Sequence, residues 1–205
     1  YFMENYQGSV SINTENIFPI IKKWLYSEKD IFIREIVSNA SDAINKLKKL
    51  NAVGEANIDA DEWKIEVTVD KDAGTITVFD NGIGMTEDEV IKYINQIAFS
   101  GAKDFLEKYQ DKTDDAQIIG HFGLGFYSSF MVSDTVDVIT RSYTGAPAVK
   151  WVCNEAGEYE IFEDAEKESR GTDVVMHISE AEEEFLSSSK IREILNKYCS
   201  FMPVE

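Results

Sequence analysis

Between residues 27 and 49 the apolar positions Ile33, Ile36, Val37, Ala40, Ile44 and Leu47 recur every three or four residues. That spacing puts them on one stripe of a helix, with Ser27 as its cap and Glu28 and Asp30 at the positive end of its dipole. The period then changes to two. Trp63-Lys64-Ile65-Glu66-Val67-Thr68-Val69 and Thr75-Ile76-Thr77-Val78-Phe79 alternate apolar and polar residues across Asp72-Ala73-Gly74, which predicts a β-hairpin. Further strands are predicted at 135–141, 149–153, 159–162 and 172–178, and helices at 86–96, 102–110, 125–131 and 190–199. Short successive strands with helices grouped between them predict an α+β fold. It is a two-layer sandwich, one mostly antiparallel sheet covered by helices on one face.

Residues 99–125 follow neither period, mixing polar and charged residues with Gly101, Gly120, Gly123 and Gly125. Such a glycine-hinged stretch is either a functional, mobile connection or a solvated loop with one short helix. The length of 205 residues suits a single domain with its own core. The chain carries 38 acidic against 20 basic residues, a net charge of −18, and this excludes a general nucleic-acid binder, which needs Lys and Arg to neutralise phosphates. It also disfavours an anionic membrane surface as a partner. An apolar share of 43% with 12 Phe, 9 Tyr and 3 Trp excludes a disordered acidic tail. Any polyanionic ligand must therefore be held by something other than a basic patch. Cys153 and Cys199 have neither disulfide-scaffold nor metal-ligand spacing and read as thiols in a reducing compartment. No segment has the length of a membrane span or the pattern of a signal peptide. Tyr1 and Phe2 carry no structural weight, and the apolar ending Phe201-Met202-Pro203-Val204-Glu205 suggests a domain of a longer protein.

Three constellations can carry chemistry. Opposite the apolar stripe of the first helix, Glu35, Asn39, Asp42 and Lys46 share one side. This is either the solvated face of an amphipathic helix or a pairing of a general base, Glu35, with a neutral oxygen ligand for a hard cation, Asn39. Poor helix formers crowd Ser38-Asn39-Ala40-Ser41-Asp42, which an idle surface does not require. Asp80-Asn81-Gly82-Ile83-Gly84-Met85 follows a strand and precedes a helix. It is either an ordinary turn or a site where glycine backbone approaches a flat ligand and a carboxylate accepts from an exocyclic amine. Gly120-His121-Phe122-Gly123-Leu124-Gly125-Phe126-Tyr127-Ser128 leads into a helix, where backbone N–H groups can hold phosphate oxygens without basic side chains. Its spacing fits neither the Walker nor the dinucleotide motif. His121 and His177 stand singly, and the acidic runs 111–115 and 180–184 read as solvated faces.

Together these residues suggest a family. Ile33-Arg34-Glu35-Ile36-Val37-Ser38-Asn39-Ala40-Ser41-Asp42-Ala43 resembles the first ATP-site motif of the heat shock protein 90 chaperones. The segment 80–85 resembles their second motif, 119–128 their glycine-rich third, and Ser169-Arg170-Gly171-Thr172 their fourth. The motifs come in the family's order, and the resemblance covers the chain from about Asn5 onward, closest to the bacterial branch. It implies a Bergerat ATP-binding fold shared with type II topoisomerases, mismatch-repair ATPases and sensor histidine kinases. Glu35 separates this chain from the kinases, which have the asparagine but lack the glutamate four residues before it. The topoisomerase and repair proteins share the glutamate but not the surrounding Ser-Asn-Ala-Ser-Asp-Ala.

By resemblance, Glu35 orients and deprotonates the water that attacks the γ-phosphate, and Arg34 restrains it. Asn39 ligates Mg²⁺, and Asp42 belongs to the same ATP-binding face. Asp80 accepts from the adenine amine, assisted through water by Gly84 and Thr172, and Met85 packs on the base. Backbone groups of Gly120, Phe122, Gly123, Leu124, Gly125 and Phe126 hold the phosphates, within a lid at about 96–125. Two positions depart from the family pattern: its phosphate-reaching lysine is Phe99 here, and an asparagine common after the second motif is Tyr93. The implied activity is slow ATP hydrolysis driving a clamp cycle on client proteins in the cytoplasm. Family members dimerise through a C-terminal domain and complete the site with a middle-domain arginine, so residues 1–205, a single N-terminal domain, are expected to bind ATP but hydrolyse it poorly.

Overall fold

In a computed structural model the chain is described for residues 6–9, 29–59, 62–92, 125–156, 158–164 and 166–199. In chain order the elements are β1 (Tyr6–Ser9), α1 (Ile31–Ala52), β2 (Ile65–Asp70), β3 (Thr75–Asp80) and α2 (Glu87–Val90). A 3-10 helix (Gly125–Met131) precedes β4 (Ser133–Arg141), β5 (Val149–Asn154), β6 (Glu158–Glu163) and β7 (Gly171–Ile178). A second 3-10 helix (Glu180–Phe185) then leads into α3 (Ser188–Cys199). Seven strands form one sheet in the order β1-β6-β5-β4-β7-β3-β2, and every pairing is antiparallel.

The period-two runs become strands because one set of alternate side chains is removed from water. Ile76 and Val78 of β3, Val136 and Val138 of β4, Trp151 of β5 and Met176 of β7 point into one core. Ile33, Ile36, Val37 and Ala40 of α1 close that core from the helical side. Between β2 and β3 the turn is Lys71-Asp72-Ala73-Gly74; Asp70 Oδ1 accepts from Ala73 N–H at 3.0 Å, and Gly74 takes φ +71°.

Several boundaries and types differ from the sequence-based expectation. Helix α1 begins at Ile31 and runs to Ala52; Ser27 and Glu28 lie outside the described residues, and Asp30 at the N-cap makes no side-chain cap bond. Burial fixes this start instead. Ile31 and Phe32 are core residues, and the Phe32 ring meets Phe185 edge-on at 5.2 Å. The segment predicted as a helix at 125–131 is a 3-10 helix. Ser129 Oγ donates to Phe126 O at 2.7 Å, a local side-chain bond that competes with a regular α-turn. The predicted 86–96 helix is described only to Lys92, with α-helix over Glu87–Val90 and a π-turn at Ile91 and Lys92. Its start is set by a capping box: Glu89 N–H donates to Thr86 Oγ1 and Thr86 N–H to Glu89 Oε1. The acidic run 180–184 is not wholly a solvated face, because Glu182 is buried and bonds Lys29 Nζ. The helix predicted at 102–110, the positions Tyr93, Phe99 and His121, and the lid up to residue 124 lie outside the described residues.

Candidate functional site

Asp80, which ends β3, is a buried residue, 4% exposed. In register it sits opposite Thr172 of β7, and Thr172 sits opposite Thr140 of β4. Three adjacent strands thus place one carboxylate and two hydroxyls along a single rung. The hydroxyls of Thr140 and Thr172 share a hydrogen bond of 2.9 Å, and Met85 N–H donates to Thr140 Oγ1 at 2.9 Å. Asp80 Oδ1 accepts from Gly82 N–H at 2.9 Å. Burial pushes the Asp80 carboxyl up to about 7; the Gly82 N–H and the charges of Lys167 and Arg170 oppose the rise, and Asp173 adds to it. A nearly dry carboxyl poised at this value is an unusual investment for a turn and marks a candidate site.

The loop after Asp80 is held against its neighbours too closely for side chains. A Cβ on Gly82 would lie 2.6 Å from the backbone of Ala43 and Ile44 in α1. Gly84 takes φ +65°, and a Cβ there would come within 1.9 Å of Arg141 O. Ile83 is bonded on both sides, its N–H to Ala43 O at 3.1 Å and its carbonyl to Tyr143 N–H at 2.9 Å. The loop therefore pins the middle of α1 to the ends of β3 and β4. Met85, at the loop's end, packs partly buried against the core.

Along α1, Glu35 lies eight residues before Ala43, about 12 Å along the axis at the helical rise. Its side chain is 14% exposed. Burial raises its carboxyl above the ordinary range, Arg34 opposes this, and Asp42 adds to it. Arg34 Nη2 stands 4.0 Å from Glu35 Oε1, so the restraint expected of Arg34 is a long ion pair, as suits neighbours in sequence on a helix. Asn39, Asp42 and Lys46 are exposed on α1, while Ser41 is buried. The 3-10 helix that starts at Gly125 packs against α1, and Phe126 is tilted against Trp151 at 5.7 Å. Gly120, Phe122, Gly123 and Leu124 lie outside the described residues.

Sequence reasoning assigned nothing to Thr140, Lys167 or Arg170. Thr140 gave no signal, since threonine in a strand is ordinary β-propensity. Lys167 is buried and bonds Asp173 Oδ2 at 2.9 Å. Arg170 was visible beside Thr172 in the fourth motif, but its partners are 89 and 88 residues away.

Residues 28–179 match a family described as histidine kinase-, DNA gyrase B- and HSP90-like ATPase. The chain belongs to this ATPase family. Among its relatives in this ATPase family, the chain is 58% identical over 199 residues to the chaperone protein HtpG of Porphyromonas gingivalis, covering 97% of itself and 29% of that protein. It is 55% identical over 199 residues to HtpG of Bacteroides fragilis, at 97% and 28% coverage, and 46% identical over 182 residues to that of Chromobacterium violaceum, at 88% and 29%. The chain thus spans less than a third of the length of these relatives. The expected α+β fold and heat shock protein 90 resemblance agree with the sheet and with this membership. No helix among the described residues is long and apolar enough to cross a membrane.

Proposed function

We propose that the chain binds ATP with its adenine on Asp80 and hydrolyses it with Glu35 as base, as the ATPase domain of an HtpG-type chaperone. One observation carries this reading: a buried carboxyl, one oxygen already bonded, at a strand end that is pinned to the helix bearing Glu35 and Asn39. The free oxygen of Asp80 accepts from the exocyclic amine, which a keto group at that position cannot replace. Thr172 and Thr140 supply hydroxyls beside it, Gly84 lets the loop lie against the Arg141 backbone at positive φ, and Met85 offers an apolar face. Glu35, with its raised carboxyl, takes the proton of the attacking water while Arg34 keeps it from drifting. Asp42 and Gly125 complete the ATP-binding set, with Gly120, Phe122, Gly123, Leu124 and Phe126 contributing phosphate-facing backbone.

Among the described residues no cluster of three or more His, Cys, Asp or Glu side chains forms a protein-only cation site. That fits Mg²⁺ held by the exposed Asn39 oxygen together with phosphates and water, the usual mode for this small hard cation. When bound, Mg²⁺ neutralises phosphate charge. Client proteins as partners, dimerisation of the longer protein and a cytoplasmic location belong to the same reading, which the chaperone name of the HtpG relatives supports only for the chaperone role. Nucleic acid and membrane are not partners in this reading, because net charge −18 repels polyanionic surfaces.

The test is Glu35→Ala in the full-length protein. ATP affinity is retained and turnover falls by at least about a hundredfold, the contribution of a positioned general base. Unchanged turnover would reject the role of Glu35, and loss of ATP binding would reject the division of labour between α1 and the strand end.

A further inference from the structure

The fourth motif contributes more than its threonine. Arg170 Nε donates to Asn81 O at 3.0 Å and to Gly82 O at 3.2 Å, and Arg170 Nη2 donates to Asn81 O at 2.8 Å. The guanidinium also lies over the Trp63 ring, 5.7 Å from its centroid. Asn81 is tied on a second side by its own side chain, which accepts from Lys64 N–H at 2.9 Å and donates to Glu62 O at 2.7 Å. The carbonyl of Asn81 and the N–H of Gly82 belong to one planar trans peptide and point in opposite directions. Arg170 therefore grips one end of the peptide whose other end donates to Asp80 Oδ1.

We propose that Arg170 is a positioning residue for adenine recognition: by locking the Asn81–Gly82 peptide, it commits one oxygen of Asp80 and presents the other to the ligand's amine. The inference rests on the adenine reading of Asp80. The guanidinium also polarises the peptide, strengthening the Gly82 N–H as a donor to a carboxylate. Its charge favours the ionised form of Asp80, the form that accepts from an amine. The other charges felt by Asp80 are Lys167, which acts in the same sense, and Asp173, which acts against it. Gly171, next in sequence, lets Arg170 reach the loop: it takes φ +117°, and a Cβ there would come within 1.9 Å of Asp80 O.

The experiment is calorimetric titration of the 205-residue chain with Mg-ATP from pH 6 to 8.5, on wild type, Arg170→Met, Arg170→Lys and Asp80→Asn, with melting curves for each. Arg170→Met lowers affinity about tenfold at neutral pH, as loss of charged hydrogen bonds dictates. It also moves the pH midpoint of binding upward by about 0.5, because a cation beside Asp80 is gone. Arg170→Lys keeps the charge but cannot fork across two carbonyls, so affinity falls while the midpoint stays. A merely structural role would lower the melting temperature and leave the midpoint alone. Wild-type affinity and midpoint in Arg170→Met, with binding lost in Asp80→Asn, overturns this inference and leaves the adenine site standing. Wild-type binding in Asp80→Asn overturns the adenine reading itself. If Arg170→Met does not fold, Arg170→Lys decides, and undiminished affinity there overturns the proposal.

Discussion

The Asp80 carboxyl rises from an ordinary value of 3.8 to about 7, mainly through burial. A group that holds its proton more tightly when folded stabilises the fold fully below the unfolded value and loses that contribution as pH climbs through the folded one. The ligand-free protein therefore loses stability between pH 4 and 7 on account of this residue. Asp80→Asn is accordingly more stable than wild type at pH 8, by about 1–3 kcal/mol, and the gap narrows towards pH 5. Denaturant melts at the two pH values check this. In the proposed adenine reading ATP acts in the opposite sense, since its amine needs the carboxylate. Affinity rises with pH through about 7 and binding near neutrality releases a proton. Calorimetry in buffers of different ionisation enthalpy measures that release; a heat independent of buffer would contradict it. For Glu35 the raised carboxyl makes a stronger base, and in the proposed role hydrolysis falls as acid protonates it.

At the scale of elements, the site is a junction where the loop after β3 is squeezed between α1, β4 and β7. Gly171→Ala forces a Cβ into Asp80 O with φ at +117°, so stability falls by at least about 2 kcal/mol and ATP affinity falls with it. Gly145 also has positive φ, +82°, but nothing within 4 Å of its Cβ position. Gly145→Ala costs about 1 kcal/mol and leaves ATP binding unchanged. Melting and titration of the pair separate backbone strain from the close approach that shapes the site. Strands β2 to β7 and α1 were legible in the sequence because alternation and the helical stripe report burial directly, whereas β1, four residues paired to β6, was not predicted. The sheet order was not. β7 lies between β3 and β4, and periodicity carries no information about pairing partners. For the same reason the roles of Thr140 and Arg170 were hidden: each acts on residues brought beside it only by register. The 3-10 form of Gly125–Met131 was missed because helical periodicity does not reveal that Ser129 bonds the Phe126 carbonyl. Glu182 misled by its acidic neighbours, since its partner Lys29 is 153 residues away.

For the molecule as a whole, net charge −18 decides how a polyanion can be held. A basic patch would give binding that collapses as salt rises, through release of counterions and screening. In the proposed arrangement backbone N–H groups and Mg²⁺ would meet the phosphates, while the surrounding negative field repels ATP. Raising salt from low to physiological strength therefore leaves affinity unchanged or improves it slightly, because screening weakens the repulsion. Removing Mg²⁺ lowers affinity at least about tenfold, since the phosphate charge is then uncompensated. Titrations in EDTA and along a salt series test both signs, and a steep loss with salt would contradict the arrangement.

The central claim is that Asp80, buried at the junction of β3, β7 and α1, recognises adenine. Calorimetric titration of Asp80→Asn with Mg-ATP at pH 8 tests it most directly, with a melting curve showing that the variant is folded. An amide rotated to bond Gly82 N–H turns its own N–H groups towards the adenine amine, donor against donor. The account predicts a loss of affinity of at least about a hundredfold in a stably folded protein. Wild-type affinity in that protein would contradict it.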